Sequence, residues 1–220
     1  MAYSYPDLIR QDILGMIPPD GRVVGSIGCG MGATEAKLVE KGYEVHGVDV
    51  SEEAIKVAAG RLTTARVISP AERSPFERES LDGLILADVI EHIPLAAEAL
   101  KSFVAAVRPG GWVVISVPNM RHLEMIIELI WKGDWPERPY GIFDATHVQV
   151  MTHKRLERWC RGAGLRIVRW FDRYDPHGPR RYRFYRTLDL ITLRLLKKWW
   201  MYQLQVVCRK DAAGQPADKS

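Results

Sequence analysis

The chain has 220 residues and a formal net charge of +4, with 47% apolar and 26% charged residues, the balance of one soluble globular domain with a sizeable core. Its three cysteines, Cys29, Cys160 and Cys208, are scattered and form no CxxC pair, which argues against a disulfide framework or a cysteine zinc site and fits a reducing cytoplasm. No apolar run is long enough to span a bilayer, and the N-terminus lacks the layout of a signal peptide.

In chain order, a first helix is expected near Pro6 to Met16, and Pro18-Pro19-Asp20-Gly21 is a turn. Strand one is Arg22 to Ile27. The glycine loop Gly28-Cys29-Gly30-Met31-Gly32 follows, and a helix runs from Ala33 to Lys41. Strand two, Glu44 to Val48, ends at Asp49. Ser51 is a helix N-cap with Ala54 at N3. Short strand three is Ala65 to Ile68, and strand four is Leu81 to Ala87. A helix covers about Ala96 to Val107. Arg108-Pro109-Gly110-Gly111 turns into strand five, Trp112 to Val117. Alternation of this kind predicts a parallel sheet with helices on both faces.

The second half departs from simple alternation. Arg121 to Lys132 reads as a helix with an apolar face of Leu123, Ile126, Ile127 and Ile130. Gly133 to Thr146 reads as an ordered loop, Lys154 to Ala163 as a helix, Leu165 to Phe171 as strand six, and Met201 to Arg209 as strand seven. The domain therefore spans 1–209, with 118–160 as an acceptor-side insertion or lid and 210–220 as a disordered tail.

Alternating glycines after an apolar strand let the backbone approach a ligand closely. An acidic side chain ending the next strand, here Asp49, accepts hydrogen bonds from two ribose hydroxyls. Strand, loop, helix, strand and acid occur in order, which predicts a nucleoside site. Gly28, Gly30 and Ala33 also satisfy G-x-G-x-x-A, so an NAD-dependent oxidoreductase stands as a rival.

Two further groups carry chemistry. Asp88, Glu91 and His92 would share one face if a helix begins after strand four, at the carboxyl end of the sheet. Phe143-Asp144-Ala145-Thr146-His147 offers Asp-x-x-His, in which the carboxylate would fix one ring nitrogen of His147 and free the other. The bland readings are a helix start with acidic residues, a capping Asp and a structural His.

Ile27-Gly28-Cys29-Gly30-Met31-Gly32 resembles the first motif of class I S-adenosylmethionine-dependent methyltransferases. Val48-Asp49-Val50-Ser51 resembles their second motif. Asp82 to His92 and Val107 to Asn119 resemble their fourth- and fifth-strand motifs. The resemblance implies a Rossmann-like α/β domain with a seven-stranded, mostly parallel sheet and an antiparallel last strand. It also implies S-adenosylmethionine as cofactor and S-adenosylhomocysteine as product. Within it the cofactor-binding set is Gly28, Cys29, Gly30, Gly32, Asp49, Val50, Ala71, Glu72, Ala87 and Asp88: glycines by the methionine, Asp49 on the ribose, Ala71 and Glu72 at the adenine, Ala87 and Asp88 near the methionine amino group. Two positions depart from the family: an acidic residue is usual where Ser26 and Pro70 stand, so methionine and adenine contacts are expected to be rearranged.

The stretch Trp135 to Leu165 resembles bacterial methyltransferases found with surface-polysaccharide genes. Asp88, Glu91, His92 and His147 resemble a divalent-metal set of ubiquinone-pathway and small-RNA 3′-end O-methyltransferases. An alcohol loses its proton reluctantly, so a base or a metal is useful. The expected catalytic residues are His92, His147 and Glu91. His92 or His147 serves as base, Asp144 or Glu91 as orienter, and a divalent metal is a further option. The expected acceptor is a hydroxyl of a small molecule or glycan precursor, without nucleic acid. A non-catalytic methyltransferase-like subunit is the second rival.

Residues 177–200 carry seven of the basic residues against the single acid Asp189, a local +6. One reading lays 180–200 on an anionic membrane or a phosphorylated substrate. The other, which the pattern favours, packs a stripe of Leu188, Ile191 and Leu195 on the sheet and leaves a solvated basic face.

Overall fold

A computed structural model describes residues 7–72, 74–174 and 178–211. It contains one seven-stranded sheet in the order β3-β2-β1-β4-β5-β7-β6. The strands are β1 Val23–Ile27, β2 Glu44–Asp49, β3 Thr64–Val67, β4 Leu81–Ala87, β5 Val107–Pro118, β6 Leu165–Arg173 and β7 Gln203–Lys210. Pairings among β1 to β5 are parallel, and β7 runs antiparallel to both β5 and β6. Apolar runs such as Val113-Val114-Ile115 are buried on both faces, as strands covered by helices on two sides require. Gly83 leaves the space that the fully buried Trp112 ring fills: a Cβ there would stand 2.2 Å from the ring.

The helices are α1 Gln11–Leu14, α2 Ala33–Val39, α3 Glu52–Ala58, α4 Ala96–Ala105, α5 Leu123–Ile126, α6 His153–Gly162, α7 Pro179–Ile191 and α8 Lys197–Trp200. Ser51 Oγ caps α3 by accepting from Ala54 N–H, as its position predicted. Thr152 does the same for α6 through Arg155 N–H.

Four expectations are corrected. The first helix is only α1, because Arg10 leaves helical geometry and its N–H bonds Thr34 Oγ1 at 3.0 Å; the part of that expectation before residue 7 lies outside the described residues. After β4 there is a single 3₁₀ turn, Ile90–His92, and Asp88 adopts a left-handed φ of 56°. Asp88, Glu91 and His92 therefore do not line one α-helical face.

The Arg121–Lys132 helix is α5 continued by a π-helix, Ile127–Lys132. The π register rotates the apolar positions away from the core. Met125 and Glu128 are buried, whereas Ile127 and Ile130 are exposed. The stripe of Leu188, Ile191 and Leu195 is not packed: Leu188 touches a core cluster, while Ile191 and Leu195 stand in solvent. β7 extends through Lys210, and residues 212–220 of the expected tail lie outside the described residues.

Candidate functional site

At the carboxyl ends of β1, β2 and β4 the sheet opens into a cleft of about 400 Å³. Its wall includes Gly28, Asp49, Val50, Glu72, Asp88 and His92 from the expected site, together with Pro70, Val89, Phe103 and Thr146. Gly28 has φ 70°, and a Cβ on it would meet Val89 Cγ2 at 2.5 Å, so only a bare backbone passes here. Asp49 is 2% exposed. One carboxylate oxygen accepts from Gly30 N–H at 2.8 Å and the other from Ser51 N–H at 2.9 Å. The carboxylate is thus fixed at the end of β2.

The other expected cofactor residues have different places. Cys29 is buried and its thiol is pushed up, first by burial and then by Glu35 and Asp49. Gly30 binds Asp49 through its backbone, and Gly32 is the left-handed N-cap of α2. Ala71 is exposed, and Ala87 is partly buried at the end of β4. Glu72 is tied to Arg66 at 2.7 Å, and that guanidinium holds its carboxyl below the usual range.

The acid missing at position 26 has a counterpart. Ser26 Oγ donates to Glu35 Oε1 at 2.8 Å, and both residues are buried. A carboxyl group thus stands beside the end of β1, delivered from α2. Burial raises its pKa, and Ser26 works against that rise. Sequence reading missed this residue, although one acidic side chain inside the α2 turn was a visible signal.

Arg10 was missed as well. Its guanidinium contacts the Asp88 carboxylate, donates to Asp12 at 2.9 Å, and reaches Ser116 Oγ and Gln203 Oε1 at 3.3 and 3.2 Å. Gln203 Nε2 donates to the second Asp88 oxygen at 2.7 Å. Asp88 is therefore held by Arg10 and Gln203 and adds no donor atom to the group formed by Glu91, His92 and His147 among the described residues.

That cluster is assembled by backbone. Glu91 C=O accepts from Val148 N–H and Gln149 N–H at 2.9 and 3.1 Å, which docks the Asp144–Gln149 stretch on the 3₁₀ turn. Donor atoms of Glu91, His92 and His147 then lie within 4.8 Å of one another. Glu91 is 0% exposed, and neither carboxylate oxygen has a hydrogen-bond partner among the described residues. Burial, and next Asp88, push its pKa well up. His147 Nδ1 is likewise buried without a partner. Burial, and next His92, lower the pKa of His147. The rings of His92 and His147 lie 4.8 Å apart.

The expected Asp144 to His147 pairing is not formed. Asp144 Oδ1 accepts from Thr146 N–H at 2.8 Å and from Thr146 Oγ–H at 2.6 Å. Thr146 Oγ1 lies 2.9 Å from His92 Nδ1. The short Asp144–Thr146 turn directs the carboxylate back onto its own backbone, and it is His92 that this chain of bonds orients.

Both candidate groups fit on geometry. The fixed Asp49 carboxylate, the glycine that admits no Cβ and the apolar cleft suit a nucleoside with a thioether tail. The unpartnered Glu91 oxygens and His147 Nδ1 suit a divalent cation.

A family model described as a methyltransferase domain matches residues 1–169. A ubiquinone biosynthesis O-methyltransferase of Leptothrix cholodnii is 24% identical over 88% of this chain and 80% of its own length. One of Paracidovorax citrulli is 30% identical over 70% of this chain and 67% of its own length. The crystal structure of a SAM-dependent methyltransferase from Archaeoglobus fulgidus superposes with TM-score 0.65 at 19% identity, covering 91% of this chain and 90% of that one.

Proposed function

This chain belongs to the methyltransferase domain family and takes its methyl group from S-adenosylmethionine, and we propose that the acceptor is a hydroxyl oxygen of a small molecule or glycan precursor, deprotonated by His92. Family membership decides against the NAD-dependent rival, and the relatives named O-methyltransferase support an active enzyme over the non-catalytic one. The single observation that carries the proposal is the orientation of His92 on the cleft wall by Thr146, with Asp144 behind it.

In this reading the cofactor lies along the glycine loop, with Asp49 on its ribose hydroxyls, Val50 and Glu72 toward the base, and Arg10 and Asp88 at the amino-acid end. Sulfonium chemistry needs alignment more than activation, so the enzyme's work is to hold donor and acceptor in line and take one proton. His92 suits the proton transfer: it lines the cleft, and with Nδ1 turned to Thr146 the neutral ring would accept through Nε2. Residues 118–160 form the acceptor wall. The relatives' name supports oxygen as the methylated atom. The buried free thiols are in keeping with work in the cytoplasm, and no helix among the described residues is long and apolar enough to cross a membrane.

A second reading rests on the bare Glu91 carboxylate and His147 Nδ1. Glu91, His92 and His147 would hold a divalent cation, which would supply Lewis-acid polarisation of the acceptor hydroxyl. Titration with Mn²⁺ and turnover with and without EDTA on a panel of hydroxylated acceptors separates the two. EDTA-insensitive turnover that His92→Ala abolishes supports the base. Stoichiometric Mn²⁺ binding lost in Glu91→Gln supports the cation. Full turnover in His92→Ala sinks both.

A further inference from the structure

The α7–α8 corner carries more exposed aliphatic surface than a monomer needs. Leu193 and Leu195 are 79% and 84% exposed, and Leu190 and Ile191 beside them also stand in solvent. These are not loose side chains on a frayed end. Leu193 and Arg194 both hold left-handed backbone, φ 49° and 60°, which non-glycine residues adopt only when their surroundings impose it.

The anchor beneath the turn is visible. Arg194 N–H donates to Asp189 C=O at 2.8 Å, and Leu195 N–H to Thr192 C=O at 2.9 Å. Thr192 Oγ1 accepts from Trp200 Nε1 at 3.1 Å. Asp189, 1% exposed, accepts from Tyr174 O–H at 2.7 Å. A buried polar base therefore holds two leucines outward.

The same segment carries exposed basic side chains. Arg183 and Arg186 on α7 and Lys198 on α8 are exposed and form no ion pair within the described residues, while the one acid of the segment, Asp189, is buried. Three kinds of partner could cover exposed aliphatic side chains on a basic segment. A second copy would bring the same positive charge against itself. Nucleic acid would satisfy the arginines but leave the leucines nothing to bury against, since its contacts are phosphates and base faces. An anionic lipid surface meets both needs: headgroup phosphates for the cations and acyl chains for the leucines.

We propose that the α7–α8 corner is a membrane-docking wedge for anionic phospholipid, with Leu193 and Leu195 inserting at the headgroup boundary. The Arg181–Glu124 ion pair at 2.8 Å ties α7 to α5. Docking there sets the α5 side of the molecule close to the bilayer. This inference stands apart from the acceptor chemistry, and its test reads no turnover.

The test is co-sedimentation of the full chain with phosphatidylcholine vesicles and with vesicles that also contain phosphatidylglycerol, alongside S-adenosylhomocysteine titration. The expected result is binding to the phosphatidylglycerol vesicles alone. Leu193→Asp with Leu195→Asp should weaken it about tenfold or more, Arg183→Glu with Arg186→Glu should weaken it too, and nucleoside binding should be unchanged in both. Aspartate tolerates left-handed backbone better than leucine, so the first variant does not threaten the turn. Any of four results overturns the proposal: no vesicle binding, binding that the leucine variant leaves intact, a dimer that the leucine variant converts to monomer, or RNA that displaces the vesicles.

Discussion

Thr146 Oγ1 and Thr146 C=O both face His92 Nδ1, at 2.9 and 3.3 Å, across 54 residues of sequence. A carbonyl oxygen only accepts, so Nδ1 is the donor in this pairing, and in the neutral ring Nε2 is the acceptor. The Thr146 hydroxyl in turn gives its own proton to Asp144 at 2.6 Å. A carboxylate thereby acts on His92 through one hydroxyl.

Thr146→Val keeps the volume and removes that link. The expected result is a 10–100-fold fall (roughly, by analogy with other outer-shell partners) in kcat, with little change in affinity for S-adenosylhomocysteine. Thr146→Ser should restore most of the loss. A valine variant with normal kcat would remove Thr146 from the mechanism.

Asp49 offers its carboxylate to the cleft while bracing Gly30 and Ser51. Asp49→Asn replaces one acceptor oxygen with an N–H₂ that faces a backbone N–H or a ribose hydroxyl. Hydrogen bonds to charged groups contribute about 1.5–3 kcal/mol, so S-adenosylhomocysteine affinity should fall about 10–100-fold by calorimetry. Because the same group braces the loop, the thermal midpoint should fall as well.

Glu35 is the opposite case. Its buried carboxyl has a raised folded pKa, so its stabilising protonation is present below the unfolded value of 4.5 and is lost as pH rises through the higher folded pKa. Glu35→Gln should therefore be more stable than the parent chain at neutral and alkaline pH. If the Ser26-held carboxyl serves the methionine amino group, the same variant binds S-adenosylhomocysteine more weakly and binds methylthioadenosine, which lacks that group, as before. Equal loss for both ligands would refute this role.

His153, first residue of α6, stacks 5.0 Å from Trp170 with its Nδ1 buried and unpartnered. Burial, with Lys198, Arg121 and Lys197 adding repulsion, pushes its pKa from 6.5 to about 4. The unfolded chain takes up this proton as pH falls below 6.5, and the folded chain refuses it until about 4. Stability should fall through that window, and denaturation midpoints of His153→Gln should fall less steeply than those of the parent chain. Parallel curves would exclude this histidine as the cause.

Much of the fold was legible because it is written in contiguous patterns. Apolar runs bounded by turns marked the strands, and the alternating glycines marked the loop between β1 and α2. The Ser51 cap and the antiparallel last strand also stood as expected. The first helix, the 3₁₀ turn after β4 and the π-helix after α5 were not legible. Local propensity there yields to tertiary bonds, such as Arg10 N–H to Thr34 and Glu91 C=O to Val148 and Gln149.

The sequence by itself determined the fold class, the glycine loop after β1 and the list of chemically capable residues, because each depends on neighbours within one strand–loop–helix unit. Only the tertiary structure decided their partners. Asp144 turned to Thr146 instead of His147, Asp88 went to Arg10 and Gln203, Glu35 reached Ser26, and Leu193 and Leu195 were turned to solvent. Hydrogen bonds and burial depend on approach within a few ångströms of groups remote in sequence, and no local pattern records that distance.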